Sequence, residues 1–144
     1  MLVRALYVSR AVGPVTTTVT AAILASARRH NSPAGITGVL CQGSGLYLQV
    51  LEGERAAVNR LYASIISDKR HQDVELLSFE EISQRRFGAW SMALVELSAS
   101  DPMVLLNHPE FDPYAASSSG AMALLDDLLK AGSPIDTPPP QNKA

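Results

Sequence analysis

The chain has 144 residues, of which 47% are hydrophobic and 18% charged, as is typical of one folded domain. Its 12 basic and 14 acidic residues give a net charge of -2 at pH 7, which argues against binding along a nucleic-acid backbone. The single cysteine, Cys41, together with an N-terminal stretch interrupted by Arg4 and Arg10, predicts a cytoplasmic protein without a disulfide, signal peptide or membrane span.

The first predicted strand runs from Leu2 to Ser9. Almost every side chain in it is apolar, so both of its faces should be covered by other parts of the fold. Tyr7 and Ser9 share one face, and Leu6 and Val8 share the other.

A helix is predicted to follow. Gly13-Pro14 suits its first turn, because proline has no backbone N–H to lose there. Apolar residues recur at helical spacing to about His30, and Asn31 and Pro33 are predicted to end the helix. The remaining predicted elements of the core are strands at Gly35–Cys41 and Leu46–Leu51 joined by a hairpin, a helix at Glu54–Ser67, and strands at Val74–Phe79 and Trp90–Leu97.

This order of elements predicts an α+β fold, a ferredoxin-like βαββαββ sheet with two helices on one face. Helices at Pro102–Asn107 and Ser119–Ala131 should cover the other face, since the second carries a leucine stripe. We therefore expect a core at residues 1–98, a C-terminal helical cap at 99–134 and a disordered tail at 135–144.

Tyr7 and Gln49 form the most suggestive pair of polar side chains. We expect the first and third strands to be central neighbours that run parallel, which places Tyr7 beside Gln49 on the helix-covered face. A buried glutamine is costly unless both ends of its amide are hydrogen-bonded, and a tyrosine can satisfy one end while a ligand takes the other. Asn31 lies on the same side and offers a donor and an acceptor in one plane, which suits a planar heterocycle.

Each of these residues also has an ordinary structural interpretation. Asn31 could be only a helix cap, Gln49 only a core amide and Tyr7 only a core aromatic. Trp90 and Met92, on alternate positions of the last predicted strand, could be packing residues.

Common catalytic motifs are absent from the sequence. It contains no G-x-G-x-x-G after the first strand, no P-loop, no H-E-x-x-H and no nucleophile elbow. His30, His71 and His108 lie in separate elements, which argues against a three-histidine metal site. Composition and spacing alone predict a ligand-binding α/β sandwich of unspecified purpose.

Five segments resemble the BLUF family, the sensors of blue light using flavin. They are LYVSRA, ARRHNSPAGITGVL, YLQVLEG, SDKRHQDV and RRFGAWSMAL, in the order and spacing of the family, and they extend the resemblance over roughly Leu2 to Leu97. The resemblance implies a non-covalently bound flavin: FAD, or else FMN or riboflavin.

The resemblance also implies individual roles. Tyr7 matches the photoactive tyrosine, Gln49 the glutamine between it and the flavin N5/C4=O edge, and Asn31 the asparagine that bonds C4=O and N3–H. The further implied positions are His30 beside the ring, Ile23, Leu24 and Tyr47 as apolar walls, Arg70 and His71 near the C2=O side and ribityl chain, and Ser9, Trp90 and Met92 in the shell that changes on illumination. Which of Trp90 and Met92 faces the flavin is left undecided.

The implied mechanism is photochemical rather than enzymatic. Tyr7 gives an electron to the light-excited flavin, a proton follows through Gln49, and Gln49 is left rearranged as a donor to C4=O, which shifts the absorption to the red. The last strand would pass this change to the C-terminal helices. No effector domain is recognised after Leu97, so we expect output to a downstream signalling protein in trans, and the apolar C-terminal stripe predicts a homo-oligomer. The competing predictions are a light-insensitive interaction module of the same fold and a flavin-dependent or acylphosphatase-like enzyme.

Overall fold

The computed structural model describes residues 1–97, 101–109 and 112–131. Its elements are β1 (Leu2–Ala11), α1 (Thr17–Ala34), β2 (Thr37–Gly43), β3 (Leu46–Glu54), α2 (Arg55–Ile66), β4 (His71–Glu81), β5 (Ala93–Glu96), α3 (Pro102–Asn107) and α4 (Ser118–Ala131). The strands form one sheet in the order β4-β1-β3-β2-β5.

The centre of the sheet is antiparallel. β3 lies between β1 and β2 and runs antiparallel to both. The prediction that the first and third strands are neighbours is confirmed, but the predicted parallel direction is wrong. The crossover through α1 makes β2 parallel to β1, and the tight turn at Ser44 and Gly45, both with positive φ, then reverses the chain, so β3 enters between them in the opposite direction.

Helix α1 begins later than predicted. It starts at Thr17 rather than at Gly13-Pro14, because the hydroxyl of Thr16 accepts a hydrogen bond from the Val19 N–H at 3.2 Å and caps the helix there.

The same helix also ends later than predicted. It continues beyond His30 with Pro33 inside its last turn, and Gly35 ends it in the left-handed conformation at φ 69°. The N–H of Ile36 then bonds the carbonyl of Asn31 at 2.9 Å, as in a Schellman motif. Asn31 therefore belongs to the last helical turn and is not its cap.

The last strand is shorter than the predicted Trp90–Leu97. Its pairing with β2 begins at Ala93, because the chain bends at Ser91 and Met92. The bend separates two residues that would share a face in a regular strand. Met92 packs into the core on the α1 and α2 side of the sheet, and Trp90 packs against the core on the α4 side.

The sheet carries a hydrophobic core on each face. One core contains Tyr7 with Leu24 of α1 and Val58 of α2. The other contains Leu6 and Val8 with side chains of the C-terminal helices, namely Val104, Ala121, Leu124, Leu125 and Leu128. The predicted α+β class, with two helices on one face and the C-terminal helices on the other, is confirmed.

The domain boundaries stay predictions. The predicted division at residues 98 and 99 and the predicted tail at 135–144 lie outside the described residues.

Within the described ranges, no helix is both long and apolar enough to cross a bilayer.

A buried carboxylate holds the segment between β4 and β5 against the sheet. Glu52 of β3 has no exposed surface, and it accepts hydrogen bonds from Arg4 Nε at 2.9 Å and from the backbone N–H groups of Arg86 and Phe87 at 3.0 and 2.6 Å. A buried charge is tolerated only when it is paired and hydrogen-bonded, as here. This network anchors the chain shortly before the bend at Met92.

Candidate functional site

A cavity of about 360 Å³ lies between α1, α2 and the sheet. Its volume falls within the roughly 300–1,000 Å³ of small-molecule sites. It is lined by Tyr7, Ile23, Ser26, Ala27, His30, Asn31, Ala34, Ile36, Leu40, Tyr47, Gln49, Ala57, Arg60, Leu61, Ser64, Ile65, Asp68, Arg70 and His71. The described residues contain no cluster of His, Cys, Asp and Glu that could hold a metal ion.

Tyr7, Gln49 and Met92 form a buried hydrogen-bonded chain beside this cavity. Tyr7 and Gln49 stand directly opposite one another on β1 and β3, and the Tyr7 hydroxyl donates to Gln49 Oε1. The other end of the amide, Nε2, donates to the Met92 sulfur at 3.3 Å. Because a thioether is a weak acceptor, this end of the amide is held less firmly than the end at Tyr7.

The phenol of Tyr7 is protonated at neutral pH, because its pKa is raised. Burial is the main reason that its pKa lies well above the usual 10, and the negative charge of Asp68 raises the pKa further. Tyr7 is therefore the donor and Gln49 Oε1 the acceptor of their hydrogen bond.

Asn31 projects from the last turn of α1 and is only 1% exposed. Its Nδ2 donates to the backbone carbonyl of Ser91 at 3.3 Å. Its Oδ1 is buried and has no partner among the described residues. A buried acceptor without a donor is unfavourable, so this atom is suited to a ligand N–H.

An ion pair lies at another part of the cavity wall. Arg70 Nε is 3.0 Å from both carboxylate oxygens of Asp68, and this hydrogen bonding from Arg70 lowers the pKa of Asp68. Sequence reasoning missed Asp68 as a cavity residue, although it lies in the SDKRHQDV segment. The spacing of Asp68 and Arg70 could have indicated it, since a carboxylate two residues before an arginine can form an ion pair with that arginine.

His71 lines the cavity and is hydrogen-bonded to Ser9, which does not line it. Its Nε2 lies 2.5 Å from the Ile65 carbonyl, which can only accept, so Nε2 carries a proton. In the neutral ring Nδ1 is then the acceptor for the Ser9 hydroxyl at 2.8 Å. The imidazole also stands edge-on to the rings of Tyr7 and Tyr47, with centroids 6.3 and 6.5 Å away.

The structure brings most of the predicted site residues to the cavity wall. Those that line it are Tyr7, Ile23, His30, Asn31, Tyr47, Gln49, Arg70 and His71. Leu24 does not line the cavity, because successive side chains of a helix point about 100° apart, and it is buried in the adjoining core. Ser9 and Met92 contact lining residues from behind, and Trp90 belongs to the opposite face.

Sequence reasoning also missed the polar residues that α2 contributes. Arg60 and Ser64 are exposed residues, four positions apart, that line the cavity. A search for apolar periodicity does not detect such residues, because they lie on the hydrophilic side of an amphipathic helix.

Comparison with known proteins gives a consistent result. The family model described as BLUF, sensors of blue-light using FAD, matches residues 2–93. The photoactivated adenylate cyclase subunit beta of Euglena longa is 36% identical over 99 residues, which are 67% of this chain and 12% of that protein. Subunit alpha of Euglena gracilis is 39% identical over 88 residues, 61% of this chain and 9% of that protein. The chain thus spans only about a tenth of these curated relatives.

Solved structures match over most of the fold. The ground state of BlsA superposes with a TM-score of 0.82 at 31% identity, covering 92% of this chain and 91% of that one. The dark state of BlrB, described as a BLUF protein, gives a TM-score of 0.74 at 29% identity and covers 90% and 96%.

Proposed function

This chain belongs to the BLUF family of blue-light flavin sensors, and we propose that its cavity holds the ring of a non-covalently bound FAD whose excitation rearranges the hydrogen bonds of Tyr7 and Gln49. The single observation that carries the proposal is the buried chain from Tyr7 through Gln49 to Met92 at the cavity wall. FAD is proposed because the family description names it, and FMN and riboflavin share the same ring.

The residues of the cavity suit a flavin ring. The pyrimidine part of the ring carries an N–H between two carbonyl groups, and the unpartnered Asn31 Oδ1 would accept from that N–H. The side chains of Ile23, Ala27 and Leu61 provide apolar walls for the faces of the ring. Gln49 and Asn31 would hold its polar edge, and Arg70 would lie near the groups that lead out of the cavity.

The chain's own residues account for the switch. Bound oxidised flavin supplies the absorption of blue light and an electron acceptor. In the dark, the protonated Tyr7 orients Gln49 so that its Oε1 faces Tyr7 and its NH₂ group faces Met92. An amide that turns over presents its oxygen to the Met92 sulfur, and two acceptors cannot bond each other. The contact with Met92 is then lost, and Tyr7 accepts from the NH₂ group.

The change at Gln49 has a direct route to the opposite face. Met92 immediately precedes β5, whose residues Ala93 and Val95 pack in the core that also contains Leu125 of α4. We therefore propose α4 as the element that receives the signal. In such a fold two discrete side-chain arrangements at one contact can shift a packed helix.

Output is proposed to go to a separate effector protein. The curated relatives are named as photoactivated adenylate cyclases, which supports an enzyme as the proposed target. Self-association stays a prediction. The leucine stripe on which it rested is buried against the sheet, so a homo-oligomer would use a different surface.

The test is the colour and photochemistry of the purified protein. We expect a yellow protein with about one flavin per chain, released by heat or acid and identified as FAD by chromatography. Blue light should produce a reversible red shift of the flavin absorption. A colourless protein that also binds no added FAD, FMN or riboflavin would contradict the ligand assignment. A yellow protein without a light response would instead favour the light-insensitive module.

A further inference from the structure

Unpartnered polar atoms gather at the cavity. Among the described residues, the buried side-chain atoms without a hydrogen-bond partner are Arg28 Nε, Asn31 Oδ1 and the Tyr47 hydroxyl. Asn31 and Tyr47 both line the cavity, and Arg28 does not. A buried polar atom is normally paired, so two unpaired atoms on one cavity indicate that its ligand completes both.

Tyr47 occupies the part of the wall that Asn31 does not reach. It lies two residues before Gln49 on the same face of β3. Across β2, Gln49 is level with Leu94 of β5, and Tyr47 is level with Glu96. Ser91 and Met92 precede β5, so they lie on the side of Gln49 that is away from Tyr47. Asn31 is bonded to Ser91, so Asn31 and Tyr47 act on opposite sides of Gln49.

The Tyr47 hydroxyl is available as a donor at neutral pH. Burial raises its pKa above the usual 10, and the nearby Arg70 guanidinium offsets only part of that effect. The phenol therefore keeps its proton, and the hydroxyl group can donate to an acceptor that enters the cavity.

We propose that Tyr47 is a polar ligand of the flavin, its hydroxyl donating a hydrogen bond to an acceptor atom of the ring. This inference rests on the proposed function, and it adds a polar role to a residue that the sequence suggested only as an apolar wall. The ring, rather than the ribityl chain, is the partner because Tyr47 is 3% exposed and lies on the sheet, whereas the exposed lining residues His30, Arg60 and Ser64 lie on the helices.

The test compares Tyr47→Phe with Tyr62→Phe in the full chain. Tyr62 is a matched control, because it packs on the Tyr7 ring at 5.9 Å but does not line the cavity. Flavin-free protein is titrated with riboflavin and with lumiflavin, which lacks the ribityl chain, and binding is followed by quenching of flavin fluorescence. Unfolding of each flavin-free variant is measured in urea.

We expect Tyr47→Phe to bind both flavins roughly five- to a hundredfold more weakly, as for loss of one buried hydrogen bond. Tyr62→Phe should bind them as the unmodified chain does. The flavin-free Tyr47→Phe protein should be as stable as the unmodified protein or more stable, because the substitution removes an unpaired buried hydroxyl. A residue with only a packing role would not combine weaker binding with undiminished stability.

Three results would overturn this inference alone. The first is unchanged riboflavin binding in Tyr47→Phe, and the second is a loss of stability in its flavin-free form. The third is that Tyr47→Phe binds riboflavin more weakly than the unmodified chain does but binds lumiflavin equally well. The second would mean that the hydroxyl already has a partner within the chain, and the third that it bonds the ribityl chain. An unmodified chain that binds no flavin would overturn the proposed function together with the inference.

Discussion

The Tyr7 hydroxyl donates to the carboxamide of Gln49, and the two residues are direct partners in the antiparallel register of β1 and β3. Their backbones are therefore held at a fixed separation by hydrogen bonds of the central strands. The backbones of the two residues cannot separate without breaking that register. The freedom that remains is in the Gln49 amide, whose second contact is with the thioether of Met92.

The first prediction concerns this pair. Tyr7→Phe removes the hydroxyl but keeps the ring and its packing, and Gln49→Leu removes the amide at similar volume. Both variants should remain yellow, because each substitution nearly keeps the volume of the side chain and leaves the other lining residues in place. Neither should show the red-shifted state under blue light. The measurement is a light-minus-dark absorption spectrum at matched flavin occupancy, with Tyr62→Phe as the control that should respond normally. A normal, reversible shift in either variant would defeat the mechanism.

A second prediction distinguishes Met92, which contacts Gln49, from the photoactive pair Tyr7 and Gln49. Met92→Ala removes the acceptor at Gln49 Nε2 and leaves the Tyr7–Gln49 hydrogen bond intact. The red shift should persist, and the rate of return to the dark state should change, because the dark orientation of the amide has lost one contact. The check is the recovery time course after a blue pulse. Recovery identical to that of the unmodified chain would remove Met92 from the switch.

The third prediction concerns Asn31. Asn31→Ala removes the unpartnered Oδ1 together with the bond to the Ser91 carbonyl. We expect riboflavin binding to weaken by about 1–3 kcal/mol, the usual effect of losing a buried polar partner. Calorimetric titration of flavin-free protein measures this. Equal affinity in the variant would show that the ring does not use Asn31.

A fourth prediction concerns the face opposite the cavity. Leu125 is fully buried in the core that contains Leu6 and Val8, so Leu125→Ala should destabilise the protein by about 2–5 kcal/mol. Leu106→Ala is the control. Its side chain is 71% exposed, and we expect a change within about 0.5 kcal/mol. Urea unfolding of both variants provides the comparison, and similar values for the two would mean that α4 does not form part of the core.

Deletion from Asp101 onward extends the same test. Loss of α3 and α4 uncovers the apolar face that holds Leu6 and Val8, so we expect aggregation or a changed assembly state. Light scattering detects either. A truncated chain as monodisperse and stable as the full chain would rule out a two-sided sheet.

The fifth prediction concerns the stability of the protein at low pH. Hydrogen bonding from Arg70 lowers the pKa of Asp68 in the folded chain below its unfolded value of about 3.9. Its stabilising contribution is therefore complete above about pH 5 and is lost as the pH falls through the unfolded and then the folded pKa. Asp68→Asn should be less stable than the unmodified chain at pH 6, and the difference should shrink below pH 4. A difference in the free energy of unfolding that is constant from pH 6 to pH 3 would contradict this assignment.

The sequence by itself determined the existence and order of the core elements and the two-sided burial of β1. These follow from local signals, since the nearly continuous apolar run from Leu2 to Ser9 and the helical spacing elsewhere depend only on neighbouring residues. It also predicted that Tyr7, Asn31 and Gln49 belong to one site, from the expected facing of the strands and from the resemblance to the BLUF family, and the three residues line one cavity.

Tertiary structure alone decided the direction of β3, the length of α1 and the separation of Trp90 from Met92. The hairpin makes β3 antiparallel to β2, and its insertion between β1 and β2, which no local pattern encodes, pairs β3 antiparallel with β1 as well. Trp90 and Met92 lie on opposite faces because the chain bends at Ser91 and Met92, just before the regular pairing with β2 begins at Ala93. The unpaired hydroxyl of Tyr47 was equally inaccessible to the sequence, because whether a buried polar atom has a partner depends on residues brought together from distant parts of the chain.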